Sequence, residues 1–367
     1  MANEPLISQA LEKKKAKHER FAEIDYIRLT DAQGGWPRGT VFLNNRAVPG
    51  YPSIGRVLNL EKGLEQQFHA PFHAEEKIDG YNVRIVKHEG HYLAFSRGGF
   101  VCPFTTDRLP DLIDTDILDS HPDLVICGEV AGPGNPYLEG HPPDIKDEIV
   151  LLVFDLMRFE ELGFFETAEK LNIIGQFNLP AVPYHGRFEP HQAQQLRDIL
   201  PELDGRGVEG LVLKEEGARQ KRAKYVTPAS VVQDIRAMGD ALMDMPAEYF
   251  TNRLLRLVLI LEESPHLDSS QLRYELGCAL IDPLLEAARN HPATHKVSHH
   301  FECRFRHRIN AERFIQHISR APQREIHSSV RSLEEDQDGY WVLTFERVFP
   351  RISGLLANFL SGGQIHD

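Results

Sequence analysis

The apolar residues of this chain change their spacing once, near Pro228, and that change limits its architecture most. Before it, they gather in short runs of strand length: Leu124-Val-Ile-Cys127, Ile149-Val-Leu-Leu-Val-Phe154 and Gly210-Leu-Val-Leu-Lys214. Val83–Lys87 and Tyr92–Ser96 flank Glu89-Gly90 and predict a hairpin. Helical material falls between strands, over Thr167–Phe177 and Pro190–Leu200. After Pro228, the stretches Ala229–Met243, Pro246–Glu263 and Ser269–Asn290 carry apolar residues at helical spacing, with Ser269 as N-cap and Pro265 as breaker. A further helix is expected over Ile309–Ile318 and an alternating strand over Tyr340–Val348.

This predicts an α+β chain in four parts: an N-terminal region over 1–60, a β-rich unit over 61–228, a helical unit over 229–315 and a small mixed unit over 316–367. Gly34–Gly55 reads as loops around the short strand Val41–Leu43, and the polar Glu12–Lys17 as a solvated helix or tail. The 367 residues suit two or three domains. No apolar run approaches the roughly 18–20 residues of a membrane span, and no basic stretch followed by an apolar one opens the chain. Cys102, Cys127, Cys278 and Cys303 form no C-x-x-C pair, so free thiols in a reducing cytoplasm are expected rather than a zinc site or disulfides.

The formal net charge of −13 speaks against a nucleic-acid partner only on average, because binding depends on local patches. One basic cluster holds Lys214, Arg219, Lys221, Arg222 and Lys224; another runs from Arg304 through Arg306, His307, Arg308, Arg313 and Arg320 to Arg324. The second reads equally as a solvated helix face.

The chemistry concentrates in Glu75-Glu76-Lys77-Ile78-Asp79-Gly80-Tyr81-Asn82. A lysine beside an acid-Gly turn can reach a cleft floor from a rigid backbone, and Gly80 permits a tight turn or a close approach. Its amine becomes a nucleophile when desolvation or a neighbouring cation lowers its pKa. Alone, K-x-D-G is a weak string. An ordered series of polar residues at strand ends follows it: Ser96-Arg97-Gly-Gly, Cys127-Gly-Glu129, Phe154-Asp155, Glu209-Gly-Leu-Val-Leu-Lys214 and Arg222-Ala-Lys224-Tyr. A sheet-lined cleft would collect such residues.

This order resembles the covalent nucleotidyltransferases, the superfamily of DNA ligases, RNA ligases and mRNA capping enzymes. Glu75–Arg84, Tyr51-Pro-Ser-Ile-Gly-Arg-Val-Leu and Lys224-Tyr-Val-Thr-Pro228 are similar to the archaeal-type homodimeric ATP-dependent RNA ligases. The resemblance implies an antiparallel-sheet, ATP-grasp-like catalytic domain, followed by a helical dimerisation domain and a small C-terminal domain. It implies an ATP-dependent RNA ligase that joins 5′-phosphate and 3′-hydroxyl ends, within or between strands, through lysyl-AMP and RNA-adenylate. Lys77 would be the nucleophile. Lys214, Lys224 and Arg222 would clamp phosphates and help depress the Lys77 pKa; Phe154 would stack on adenine. Glu209 would hold Mg2+ or Mn2+, and Glu129 either the metal or the ribose. Glu75 or its rival Glu76 would accept from the adenine amino group, and Asn82 and Arg97 would lie near the sugar and the RNA phosphate. Arg222 stands where ligases commonly carry lysine, a departure that leaves the phosphate contact in question. The alternatives are a DNA ligase, a capping guanylyltransferase or a non-catalytic RNA-binding protein with the same fold. A homodimer through Leu254, Leu255, Leu257, Val258, Ile260 and Leu261 is expected, unless these residues only fill the helical core.

Overall fold

A computed structural model describes residues 3–217, 219–264, 268–320 and 326–364. The N-terminal part holds α1 (Glu4–Glu12), β1 (Ala16–Phe21), β2 (Ile24–Leu29), β3 (Val41–Leu43) and β4 (Arg46–Val48). These strands form one antiparallel sheet in sequence order. The polar stretch expected as a solvated helix or a tail divides into the end of a helix and an edge strand. Ile7 and Ala10 of α1 are buried against Leu29 and Phe42, which supplies the apolar cover that β1 lacks in its own sequence.

Next come β5 (Gly55–Arg56), α2 (Leu60–Gln67), β6 (Phe72–Lys77), β7 (Tyr81–His88) and β8 (His91–Ser96). They are followed by α3 (Pro103–Leu112), α4 (Asp116–Ser120), β9 (Leu124–Ala131), β10 (Val150–Arg158) and α5 (Thr167–Gln176). β11 (Tyr184–Phe188), α6 (Ala193–Gly205), β12 (Gly210–Glu215) and β13 (Arg222–Val226) complete this part. Two sheets result, ordered β10-β9-β7-β8 and β11-β6-β12-β13-β5. Their pairs are antiparallel except β13 with β5, which sets Lys224 opposite Arg56. The predicted hairpin and buried strands are all present. The chain passes from one sheet to the other at the Lys77–Tyr81 turn, so the end of β6 lies where both sheets meet.

The change of character near Pro228 has a local cause. The Thr227 hydroxyl accepts from the Ser230 N–H, and Pro228 occupies the first helical turn, where no N–H is needed. α7 (Pro228–Ala237), α8 (Glu248–Glu263) and α9 (Ser269–Thr294) follow. The N-cap of α9 is Asp268 rather than Ser269: its carboxylate accepts from the Ser270 and Gln271 N–H groups. The expected breaker Pro265 lies outside the described residues.

The helical stretch ends at Thr294, not at 315. β14 (Val297–Phe305) belongs to the last sheet, with α10 (Arg308–Arg320), β15 (His327–Glu335), β16 (Trp341–Phe349) and α11 (Pro350–Leu360). Sheet order is β14-β16-β15, and Val297, Phe301, Cys303 and Phe305 are buried. This sheet shares a core with the catalytic half: Cys102 and Phe104 pack with Phe301, Phe305, Phe314 and Phe345. Four members of the second basic cluster meet carboxylates here. Arg304 pairs with Asp336 and Asp338, Arg306 with Asp111, His307 with Asp107 and Arg308 with Glu312. Arg324 lies outside the described residues.

Candidate active site

Strand alternation decides between the two glutamates at the end of β6. Successive side chains point to opposite faces, so Glu75 and Lys77 share one face and Glu76 takes the other. Glu76 is bound by Arg206 at 2.9 Å and lies 3.1 Å from His185. Glu75 and Lys77 face a pocket that Asn82, Arg97, Glu129, Phe154 and Lys224 also line. Two glycines let the backbones meet there. A Cβ on Gly80 would stand 2.5 Å from the Val130 carbonyl oxygen, and one on Gly210, at φ +145°, would stand 2.0 Å from that of Tyr225.

Lys77 is paired with Glu209, and both side chains are less than one-fifth exposed. Burial alone would lower its pKa, but the charges of Glu209, Glu129 and Asp79 outweigh it, and the amine is more basic than usual. The expected depression by neighbouring cations is therefore not what this arrangement gives. Two of those cations are turned elsewhere. Lys214, 2% exposed, donates to Glu75 at 2.6 Å, to the Phe154 carbonyl at 2.5 Å and to Asp155 at 3.2 Å. Arg222 donates to Asp155 at 3.0 and 3.2 Å. Neither presents a free charge for a phosphate: Lys214 reaches the pocket lining but is bound to Glu75 and Asp155, and Arg222 is bound to Asp155 beneath it. Lys224 remains at the pocket wall; burial, then the charges of Lys77 and Arg56, lowers it to about 8.

The buried network was incompletely legible in the sequence. Lys170 of α5 binds Glu75 and donates to the Phe154 carbonyl at 2.9 Å, and Tyr51 donates to Asp155 at 2.6 Å. Lys170 stands in an ordinary amphipathic helix and gives no motif signal; Asp155 adjoins Phe154 in a motif, which was its signal. The Phe154 ring is half-buried and packs edge-on to Tyr51 at 5.2 Å. Asn82 Oδ1 is buried without a hydrogen-bond partner among the described residues. Arg97 donates to Ser53 at 3.2 Å.

Carboxylates crowd around Lys77. Burial, with Glu209 and Asp79 adding to it against the pull of Lys77, pushes Glu129 up to about 8. Burial and Glu209 push Asp79 to about 7. Among the described residues no three His, Cys, Asp or Glu side chains form a closed metal cage. Carboxylates crowded so closely would regain their charge beside a divalent cation, which takes one or two of them and completes its shell with phosphate oxygens and water.

Two antiparallel sheets meeting at a lysine, with acids and cations delivered to it from successive strand ends, define a covalent nucleotidyltransferase. The family description "RNA ligase" matches residues 70–226, and that of the C-terminal region of ligase Pab1020 matches 239–363. A structure described as a putative ATP-dependent DNA ligase from Aquifex aeolicus is 45% identical, covers 98% of this chain and 99% of its own, and superposes with a TM-score of 0.93. One form of an archaeal ATP-dependent RNA ligase is 27% identical over 98% of this chain and 96% of its own, at TM-score 0.87. An uncharacterized protein of Methanocaldococcus jannaschii is 24% identical over 97% of this chain and 92% of its own length. The chain belongs to the RNA ligase family, in its archaeal ATP-dependent branch. No described helix is long and apolar enough to cross a membrane.

Proposed function

We propose that this chain joins RNA 5′-phosphate and 3′-hydroxyl ends by way of an AMP carried on Lys77. The observation that carries the reading is the place of Lys77: the last residue of β6, facing the same pocket as Glu75 and paired with Glu209. Lys77 attacks the α-phosphate of ATP and pyrophosphate leaves; AMP passes to the RNA 5′-phosphate; a 3′-hydroxyl then displaces AMP. Each step is an in-line displacement at charged phosphorus, so positioning and charge neutralisation dominate.

The residues divide this work. Phe154 offers its ring to adenine, and Glu75, held by Lys170 and Lys214, accepts from the adenine amine through its remaining lone pairs. Asn82 Oδ1, Arg97 and Glu129 lie toward the ribose, and Lys224 toward the phosphates. Lys214 and Arg222 act from below, by holding Glu75 and Asp155. A divalent cation, Mg2+ or Mn2+, fits Glu209 with Glu129 and would neutralise charge on the α-phosphate. Residues 61–228 carry the chemistry. A homodimer through the helical part is supported by Leu255, Val258, Tyr274 and Ile281, each more than 60% exposed. Leu257 and Ile260, by contrast, fill the helical core. A reducing cytoplasm suits the four free cysteines.

Incubation with ATP, with GTP in parallel, followed by mass spectrometry tests the reading: AMP on Lys77 is expected, and GMP is not. The description of the Aquifex relative favours a second reading, DNA joining. Equal or faster sealing of a nicked DNA duplex than of 5′-phosphorylated RNA would select it.

A further inference from the structure

Most arginines in the catalytic half have a carboxylate. Arg28 pairs with Glu19, Arg108 with Asp111 and Glu148, Arg206 with Glu76, and Arg222 with Asp155. Arg56 of β5 and Arg256 of α8 do not: neither side chain makes a hydrogen bond or ion pair with any described residue, and Arg56 Nη1 is buried with its donor unused. Both are half-buried and line one large cleft, about 1320 Å3, together with Lys77, Glu209, Tyr249 and Arg253. Burial, then the charge of Arg256, lowers the basicity of Arg56; burial, then the charge of Arg253, lowers that of Arg256. Arg253 is already committed to Asp234 at 2.8 Å.

The carboxylates of Glu209 and Asp234 ease this crowding of charge without pairing directly with either arginine. Holding two half-buried guanidiniums together with no direct ion pair still costs free energy, and the fold maintains the arrangement. Glu263 lies seven residues after Arg256, two turns along α8 and on the same face. Its carboxylate, 4% exposed, accepts from the Leu60 N–H at 2.6 Å and pairs with Arg197 at 3.2 Å. Leu60 opens α2, just past β5. The contact that docks α8 thus fixes Arg256 relative to Arg56. A planar guanidinium suits the paired oxygens of a phosphate, and the cleft is far larger than a diphosphate needs, with room for several nucleotides.

We propose that Arg56 and Arg256 form a phosphate site, shared between the catalytic and helical parts, that receives the RNA 5′-phosphate beside Lys77. The proposal rests on the ligase reading above. The same chemistry could instead hold the β- and γ-phosphates of ATP, and the test separates the two sources. Full-length wild type, Arg56→Gln and Arg256→Gln are compared at fixed salt with 5′-phosphorylated and 5′-hydroxyl RNA of one sequence. Wild type should bind the phosphorylated strand about tenfold more tightly, the effect of one charged hydrogen bond or more. Either variant should erase that preference and slow AMP transfer to RNA about tenfold or more. Lysyl-AMP formation from ATP should stay within about twofold. Because like charges are separated, the variants should melt no lower than wild type, which rules out misfolding as the cause; Arg256→Lys should recover part of the preference. A retained 5′-phosphate preference overturns the site. A raised KM for ATP, or weakened reversal of the adduct by pyrophosphate, with transfer intact, gives the site to ATP and overturns the RNA assignment. A wild type that forms no lysyl-AMP overturns the ligase reading itself.

Discussion

Asp155→Asn tests the buried network beneath the nucleotide pocket. Asp155 is 1% exposed, and each of its oxygens accepts twice: Oδ1 from Lys214 and Arg222, Oδ2 from Tyr51 and Arg222. Asparagine keeps one acceptor and places an NH2 group against two donors, whichever way the amide turns. Two stranded buried donors at about 1–3 kcal/mol each agree with the roughly 3–5 kcal/mol lost on breaking a buried ion pair. For a unit of this size that is a fall in Tm of roughly 6–20 °C. Scanning calorimetry of wild type and variant, followed at the transition of the catalytic part, supplies the number. The pH dependence gives a second check. Burial would raise the Asp155 carboxyl, but Arg222, Lys214 and Lys170 hold it well below the usual carboxylate range. A depressed folded pKa contributes stability that is complete above the unfolded value, about 3.9, and is lost as pH falls through the folded one. The gap in Tm should therefore stay constant from about pH 8 to 5 and narrow only in stronger acid. A variant within about 2 °C of wild type at neutral pH would refute the reasoning.

Lys77→Ala should abolish lysyl-AMP, read by mass spectrometry, while sealing of RNA already carrying a 5′-adenylate survives better, since that step needs no amine nucleophile. Glu209→Gln should slow adduct formation roughly a hundredfold or more and change ATP affinity much less; a wild-type rate across a Mg2+ titration would make Glu209 structural. Light scattering should give a dimer at micromolar concentration, and a Leu255→Glu/Val258→Glu variant should be monomeric.

The strand-end motifs were legible because each couples an apolar run to a polar residue, and local patterning dictates both. That Glu75 rather than Glu76 shares the face of Lys77 follows from strand alternation, but which face of β6 meets the pocket is fixed only by its pairing with β12. Lys214 and Arg222 read as phosphate clamps because a sequence shows charges without their counter-ions; Asp155 lies 59 and 67 positions away. Lys170 left no trace, being one lysine on a surface-like helix that folding buries. β14 was within reach: Val297, Phe301, Cys303 and Phe305 fall on one strand face, but His299, His300, Glu302 and Arg304 interrupt the apolar signal. The N-terminal sheet was hidden in the same way, by charged residues in β1.

The core shared by α3 and the last sheet has a consequence for synthesis. Asp107 is bound by the N–H of Arg306, a residue 199 positions later, and Phe104 packs on Phe305 with ring centres 5.4 Å apart. On the ribosome, at about 5–20 residues per second, the first half waits roughly 10–40 s for these partners to be made. During that interval Phe104 and the Asp107 carboxylate lack the cover that the last sheet and α10 supply, so the nascent catalytic half completes its packing only once that sheet has been made. A transcript truncated after the helical part would release a protein with that apolar patch open to water and prone to aggregate.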